Sequence, residues 1–234
     1  MGENDIRTRK RLLITGCGRS GTKYITHLLR RLGLDVRHER MGRDGIASWG
    51  MAVDAGAVAW GVPMRDFAFE QVFHQVRDPR EVIASATTFK PDSWAFICAH
   101  TPIPLDEPVL LRAAKYWYYW NLEAEKIAHW RYRIDAFHQV FDEFCARLHL
   151  TPDPCVLEQV PPDVNTRRRG RLFHLYEELC ERLRLDASPV LKQRLSAARN
   201  PGENAVLSWE TLRTLDAELT EKIQAKALQY GYRI

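Results

Sequence analysis

The stretch Leu12-Leu-Ile-Thr-Gly-Cys-Gly-Arg-Ser-Gly-Thr-Lys23, LLITGCGRSGTK, decides the fold. A short apolar run leads into a glycine-rich turn, and the turn leads into the polar start of a helix. Glycines let successive N–H groups point inward, and a new helix adds free N–H groups and its positive dipole end. Hydroxyls at Ser20 and Thr22 and positive charges at Arg19 and Lys23 lie in the same turn. This pattern predicts a loop that binds phosphate or sulfate; the alternative is an ordinary strand-to-helix turn with surface charges.

Short apolar runs alternate with helical patterns on the C-terminal side of this loop. The alternation predicts an α/β fold, a P-loop-like three-layer sandwich with a central parallel sheet flanked by helices, in a single domain over residues 1–234. Predicted strands cover 11–16, 35–39, 71–78 and 131–135, and predicted helices cover 22–34, 79–89, 109–130 and 137–148. Pro79 suits the first turn of the second helix. Three stretches do not follow the alternation, namely 41–70, 90–108 and 151–171.

Composition and charge narrow the class of protein. The chain is 45% hydrophobic and 27% charged, with a net charge of +4, which suits an anionic ligand but gives no reason to expect a nucleic-acid partner. Its five cysteines form no C-x-x-C pair and have no histidine at ligand spacing, so we expect no zinc site and a reducing compartment. The apolar run LLIT (12–15) is too short for a signal sequence or a membrane span. We expect a cytoplasmic protein without a membrane span.

The order of residues in the loop differs from the Walker A pattern, G-x-x-x-x-G-K-[ST]. The second glycine is followed by Thr22 and only then by Lys23, and Tyr24 occupies the position of the hydroxyl that binds magnesium. One strand is predicted to end in a carboxylate, Asp78, but VRDPR (76–80) supplies arginines that favour a paired carboxylate over a metal ligand. We therefore expect an anion site that works without metal.

Two motifs, in this order, resemble those of the sulfotransferases that use 3′-phosphoadenosine 5′-phosphosulfate (PAPS), in a bacterial-type form. GRSGTKY (18–24) is similar to the family's 5′-phosphosulfate loop, [KR]-[SGT]-G-T. VRDPREVIAS (76–85) is similar to its 3′-phosphate motif, an arginine at a strand end with a serine eight residues later on the next helix. The resemblance implies a sulfotransferase with PAPS as co-substrate. The residues it assigns to PAPS binding are Gly18, Arg19, Ser20, Gly21, Thr22, Lys23, Tyr24, Arg77 and Ser85.

Weaker similarities extend along most of the chain. YWYYWN (116–121), WRYRIDAF (130–137) and the C-terminal segment from LSWETL (207–212) onward resemble later family segments. VNTRRRGR (164–171) is placed like the basic loop that closes over the 3′-phosphate, which adds Arg168 to the binding residues. This stretch does not spell the usual R-K-G, and a solvated arginine-rich surface is the alternative.

The resemblance also implies the chemistry, an in-line transfer of a sulfo group to a hydroxyl or an amine. Arg19 and Lys23 would stabilise charge on the sulfo oxygens and the departing phosphate. Such a reaction on a hydroxyl needs a base. The acceptor is a small molecule or a glycan, and a sugar, a lipid-like alcohol, a phenol and a peptide tyrosine all fit.

Candidate bases lie at the end of the second predicted strand, at the edge of a parallel sheet where ligands bind. Glu39 lies twenty residues after Arg19, which resembles the position of the catalytic glutamate in members that act on heparan-type sugars. His38 is the alternative, and strand alternation should direct only one of the two side chains inward. Asp44 and Asp135 are further candidates.

Two other functions fit the same fold class. A small-molecule kinase would need a magnesium site, and a non-catalytic nucleotide-binding module would need no base beside the loop. Aromatic residues in 41–70 and 90–120 could line an acceptor cleft or form the core; Trp117 and Trp120 are expected in the core, and His74 is expected to be structural.

Overall fold

The computed structural model describes residues 7–53, 66–160 and 207–234. Its strands are β1 (Thr8–Thr15), β2 (Val36–His38), β3 (Gly45–Ala47), β4 (Phe67–Val76) and β5 (Trp130–Arg133). The helices are α1 (Thr22–Arg31), α2 (Pro79–Ala86), α3 (Pro91–His100), α4 (Val109–Ile127), α5 (Phe137–Arg147), α6 (Cys155–Gln159), α7 (Trp209–Leu215) and α8 (Ala217–Gln229). A single 3₁₀ turn, Gly50–Ala52, follows β3.

The five strands form one sheet in the order β2-β3-β1-β4-β5, and all four pairings are parallel. Side chains of the central strand alternate between two apolar layers. Leu12 and Ile14 pack with residues of α1, α5 and α6, whereas Leu13 packs with Ile46 and Val72 on the opposite face. A second large cluster joins α2, α3, α4, α7 and α8. The predicted α/β sandwich with a central parallel sheet is confirmed.

The chain changes direction across the sheet at β1. From β1 it crosses through α1 to β2 at one edge, and β3 then fills the gap beside β1. The chain next passes to β4 on the other side of β1. In open parallel sheets, ligands bind outside the carboxyl ends of the strands where the strand order reverses. The loop after β1 lies at this point.

Helix starts follow local chemistry. Asp78 caps α2 by accepting a hydrogen bond from the Arg80 N–H at 2.8 Å, and Pro79 occupies the first turn. Asp216 caps α8 through the Leu219 N–H at 2.9 Å. In contrast, no side chain of the described residues caps α1, whose N-cap is Gly21 in the left-handed conformation. The backbone N–H groups in the first turn of α1 therefore have no side-chain cap, and such groups at a helix start can bind anions.

Four elements lie within the stretches that do not follow the alternation, namely β3 and the 3₁₀ turn in 41–70, α3 in 90–108 and α6 in 151–171. The strand β3 has three residues, too few for a periodic pattern, and it forms because it pairs with both β1 and β2. The helix α3 begins at Pro91, in a proline-rich stretch that the sequence alone suggested was irregular. The predicted strand at 71–78 is in fact β4, which begins four residues earlier, at Phe67.

Candidate active site

The loop between β1 and α1, residues 16–21, lies at the carboxyl end of the central strand. Gly16 has φ +138°, and a Cβ there would lie 2.3 Å from the carbonyl oxygen of Gln75. Gly21 has φ +89°, a conformation that favours glycine. These two glycines allow the backbone to turn sharply over β4 and enter α1. The predicted strand, glycine turn and helix start are confirmed.

Buried side chains from other elements hold the main chain of the loop. The Gln75 amide Nε2 donates to the Ser20 carbonyl oxygen at 2.6 Å, and its Oε1 accepts from the Tyr132 hydroxyl at 2.6 Å. On the other side, the Gly18 N–H donates to the Tyr116 hydroxyl oxygen at 2.6 Å. Sequence reasoning missed all three supporting side chains. A polar glutamine within the apolar run of β4 was the one available signal.

Two hydroxyls of this region are buried without a hydrogen-bond partner among the described residues. They are Oγ1 of Thr15 and Oγ of Ser20, in residues that are 0% and 1% exposed. A buried hydroxyl without a partner costs free energy, and native proteins keep few of them. These two hydroxyls, one just before the loop and one near its end, therefore suit a ligand that brings hydrogen-bond acceptors.

Positive charge surrounds the loop. Arg19, in the left-handed conformation with φ +74°, lies over the Phe89 ring at 4.9 Å. Lys23 lies in the first turn of α1, and Tyr24 beside it is half-buried, which raises the pKa of its hydroxyl. Arg77, just after β4, donates from Nη1 to the Arg19 carbonyl oxygen at 3.2 Å. The two motifs that the sequence placed 58 residues apart are thus in direct contact.

The second motif contains two residues that the resemblance assigns to PAPS binding, Arg77 and Ser85. Arg77 also forms an ion pair with Glu81, one turn into α2. Ser85 is half-buried near the end of α2, and its carbonyl oxygen accepts from the Thr88 hydroxyl at 2.7 Å. Arg168 lies outside the described residues.

Glu39 follows β2 and is in the left-handed conformation, with φ +52°. Its Oε2 accepts from the Ser48 hydroxyl at 2.5 Å, and its Oε1 accepts from the Trp49 N–H at 3.3 Å. Burial raises the pKa of Glu39 to about 7, although both hydrogen bonds lower it. A carboxyl group with this pKa can exchange a proton near neutral pH, as a general base must.

His38 lies beside Glu39 and contacts the loop. Its Nε2 is 3.1 Å from the Thr22 hydroxyl and 4.0 Å from Oε1 of Glu39. Desolvation, and then the positive charges of Lys23 and Arg19, lower the pKa of His38 to about 4, even though 40% of its side chain is exposed. The imidazole is therefore neutral at pH 7. The expectation that strand alternation directs only one of the two side chains to the site does not hold, because the left-handed turn at Glu39 ends the extended conformation.

The other two candidate bases have different contacts. Asp44 precedes β3, at the amino edge of the sheet, where it accepts from the Asp35 N–H at 2.7 Å and pairs with Arg43. Asp135 follows β5 and accepts from the Tyr232 hydroxyl at 2.8 Å. Asp44 stabilises the tight return from β2 to β3, and Asp135 anchors the C-terminal segment.

An aromatic cluster packs directly against the loop. A Cβ on Gly18 would lie 3.1 Å from the Phe89 ring and 3.2 Å from Trp49. Trp49 lies 5.2 Å from Trp120 and 6.2 Å from Tyr116, measured between ring centroids. The buried aromatic residues of the region are Trp49, Trp94, Tyr116, Trp117 and Trp120. These side chains belong to the core, as was expected of Trp117 and Trp120.

His74 is fully buried and its Nε2 is 2.9 Å from the Asn121 side-chain oxygen, in agreement with the structural role expected for it. Asp78 pairs with Arg80 at 2.9 Å, as the sequence suggested. Across 7–53, 66–160 and 207–234, no three acidic, histidine or cysteine side chains group as a metal site would require. None of the helices in those ranges has the length and hydrophobicity needed to cross a membrane.

Comparisons with known proteins add little beyond the fold. No protein-family model matches the chain, and no curated protein matches it with significance. Solved structures do match, among them one described as the sulfotransferase domain from the curacin biosynthetic pathway. That domain is 13% identical, aligns over 97% of this chain and 99% of its own, and superposes with a TM-score of 0.48. Function is therefore inferred from the residues of the site.

Proposed function

We propose that the protein transfers a sulfo group from PAPS to a hydroxyl or amine of an acceptor. The observation that carries this proposal is that His38 links the start of α1, next to the anion-type loop, to the carboxyl group of Glu39. Its Nε2 lies 3.1 Å from the Thr22 hydroxyl and 4.0 Å from Oε1 of Glu39. This arrangement supports a donor site at the loop with a base beside it.

The loop would hold the 5′-phosphosulfate of PAPS. Backbone N–H groups at the uncapped start of α1, the Ser20 and Thr22 hydroxyls and the charges of Arg19 and Lys23 suit tetrahedral oxyanions. Gly18, Gly21 and Tyr24 would complete the loop's share of the site. Because Oγ of Ser20 is buried without a partner among the described residues, an anion oxygen would satisfy it.

The second motif would hold the 3′-phosphate. Arg77 lies against the loop carbonyl of Arg19, so its guanidinium is within the same site. Arginine binds phosphate through two parallel N–H donors, which gives both charge and orientation. Ser85 on α2 and Arg168 are proposed as further contacts to the same phosphate.

The chemical step would be an in-line displacement. The acceptor oxygen forms a bond to sulfur, the bond between sulfur and the phosphate oxygen breaks, and 3′-phosphoadenosine 5′-phosphate departs. Glu39 accepts the acceptor's proton, while Lys23 and Arg19 stabilise charge on the sulfo group and the leaving phosphate. His38, neutral at pH 7, would donate a hydrogen bond at the same place. The pairing of Asp78 with Arg80 favours a step that uses no metal.

One experiment tests this proposal against its alternatives. The protein is incubated with PAPS and an acceptor mixture, with and without EDTA, and separately with ATP and magnesium. We expect release of 3′-phosphoadenosine 5′-phosphate from PAPS, insensitive to EDTA, and a mass increase of one acceptor by a sulfo group. Phosphate transfer from ATP would indicate a kinase instead. Tight binding of the bisphosphate without any turnover of PAPS would indicate a binding module.

A further inference from the structure

Ser48 follows β3 directly and contacts the proposed base. Its hydroxyl donates to Oε2 of Glu39 at 2.5 Å, and the residue is 4% exposed. Its own N–H donates to the Ile14 carbonyl oxygen of the central strand at 2.9 Å. The backbone position of this hydroxyl is therefore tied to β1, the strand that carries the loop.

We propose that Ser48 is a positioning residue, which holds the Glu39 carboxylate toward the loop and stabilises its charged form. The effect of Ser48 on catalysis rests on the proposed sulfotransferase function, whereas its effect on the charge of the Glu39 carboxyl group does not.

Three consecutive residues of the β3 end fix Glu39. The Ala47 carbonyl oxygen accepts from the Glu39 N–H at 3.0 Å, which holds the backbone at its left-handed turn. The Ser48 hydroxyl binds one carboxylate oxygen and the Trp49 N–H binds the other at 3.3 Å. Because both oxygens have a donor from the two residues that follow β3, the plane of the carboxylate has one preferred orientation. Of the two donors, the Ser48 hydroxyl can be removed by a single substitution.

The charges around Glu39 explain why its carboxylate needs the Ser48 hydroxyl as a hydrogen-bond donor. Glu39 is 16% exposed at its side chain, and burial disfavours the charged carboxylate. The titratable groups that face it are His38 from β2 and Tyr116 from α4, and Lys23 and Arg19 act in turn on His38. A neutral imidazole and a phenol compensate the carboxylate only weakly. Hydrogen bonds to a charged group stabilise the charged form, and the short Ser48 bond is of this kind.

The test measures the titration of Glu39 in the free protein. Carbon-13 NMR of protein with labelled glutamate side chains follows each carboxyl group, and the Glu39→Gln spectrum identifies its signal. We expect Ser48→Ala to move the midpoint of Glu39 upward by about one to two pH units, since hydrogen bonds to charged groups contribute about 1.5–3 kcal/mol. Ser48→Cys, a weaker donor of similar size, should move it less. Ser208→Ala, which removes the same hydroxyl from an exposed helix cap, should leave it unchanged.

The second measurement is the pH profile of single-turnover transfer. A merely structural role for Ser48 would lower the rate at every pH, whereas loss of a positioning donor also moves the acidic limb upward with the titration. A Glu39 midpoint that is the same in Ser48→Ala and in wild type overturns the inference, and so does a shifted midpoint with an unshifted rate profile. If Ser48→Ala does not fold, Ser48→Cys decides by the same comparison. Wild-type protein that never turns over PAPS contradicts the proposed function, while the NMR titration still decides whether Ser48 stabilises the carboxylate.

Discussion

At the scale of single residues, two properties of Glu39 suit it to act as a base. It is largely buried, and two hydrogen-bond donors hold it beside a loop rich in positive charge. Burial raises the pKa of Glu39 to about 7. At neutral pH the protonated and the deprotonated forms of its carboxyl group are therefore both well populated. Such a balance suits proton transfer in both directions.

Glu39→Gln should therefore keep the shape of the site and lose its chemistry. Removal of a general base typically lowers a rate by about 10²–10⁴-fold. Affinity for 3′-phosphoadenosine 5′-phosphate should stay near the wild-type value, since the carboxyl would face the acceptor. Single-turnover transfer and calorimetry measure the two quantities. A variant that transfers at the wild-type rate would remove Glu39 from the mechanism and leave His38 as the base.

The pH dependence of wild-type transfer follows from the same pKa. The base must be deprotonated to act, and burial places the pKa of Glu39 at about 7. Below that pH the carboxyl is protonated and the rate should fall; above it the rate should reach a plateau. A profile that stays flat between pH 5 and 8, measured under conditions where chemistry limits the rate, would contradict this assignment.

Arg77 and Glu81 make a matched pair of variants. Arg77→Ala should weaken binding of the bisphosphate by about 1.5–3 kcal/mol, the contribution of a charge-assisted contact, with little effect on adenosine 5′-phosphosulfate, which has no 3′-phosphate. Glu81 competes for the same guanidinium through an ion pair. Glu81→Gln should therefore strengthen binding slightly, by about 0.2–1 kcal/mol, because the pair is partly exposed. Equal loss for both nucleotides in Arg77→Ala would assign Arg77 to the fold.

At the scale of elements, the loop depends on close contact between its backbone and β4. Gly16 cannot carry a side chain in its present position, since a Cβ would lie 2.3 Å from the Gln75 carbonyl oxygen. Gly33, just after α1, also has a positive φ, but a Cβ added there would meet no atom of the described residues within 4 Å. Substitutions at the two glycines therefore separate the effect of a steric clash, expected at Gly16, from the effect of backbone strain alone, expected at Gly33.

Gly16→Ala should displace the loop and abolish detectable bisphosphate binding. Gly33→Ala should cost only the strain of the left-handed conformation, about 1–2 kcal/mol, and leave the affinity unchanged. Urea unfolding and calorimetry on both variants make the comparison. Wild-type affinity in Gly16→Ala would mean that the loop does not hold the nucleotide.

At the scale of the whole molecule, local sequence patterns predicted most of the sheet, but they did not predict the parts that depend on tertiary contacts. The runs that became β1, α1, β4 and α4 each carry enough periodic residues to be recognised alone. The strand β3 has three residues and exists through pairing on both sides. The same distinction holds for the residues of the candidate site. Glu39 and His38 could be found because they lie at the end of a predictable strand, whereas Ser48, Gln75 and Tyr116 reach the site only through tertiary contacts.

The C-terminal segment shows how stability and binding can be separated in this molecule. Tyr230 follows α8 and packs in the large apolar cluster, 5.8 Å from the Trp117 ring and 5.7 Å from that of His74, between ring centroids. The Arg131 guanidinium lies 4.5 Å over its ring. This one side chain thereby joins the C-terminal segment to α4, β4 and β5.

Tyr230→Ala should destabilise the protein by about 3–5 kcal/mol, the range for a large aromatic residue removed from a core. Leu228→Ala, two residues away at a side chain that is 59% exposed, should change stability by less than about 0.5 kcal/mol. Below the unfolding transition, both variants should bind the bisphosphate with wild-type affinity, because Tyr230 supports the sheet and not the loop. Urea unfolding followed by calorimetry at low temperature tests this. A folded Tyr230→Ala protein with weakened nucleotide binding would show that the C-terminal segment also shapes the site.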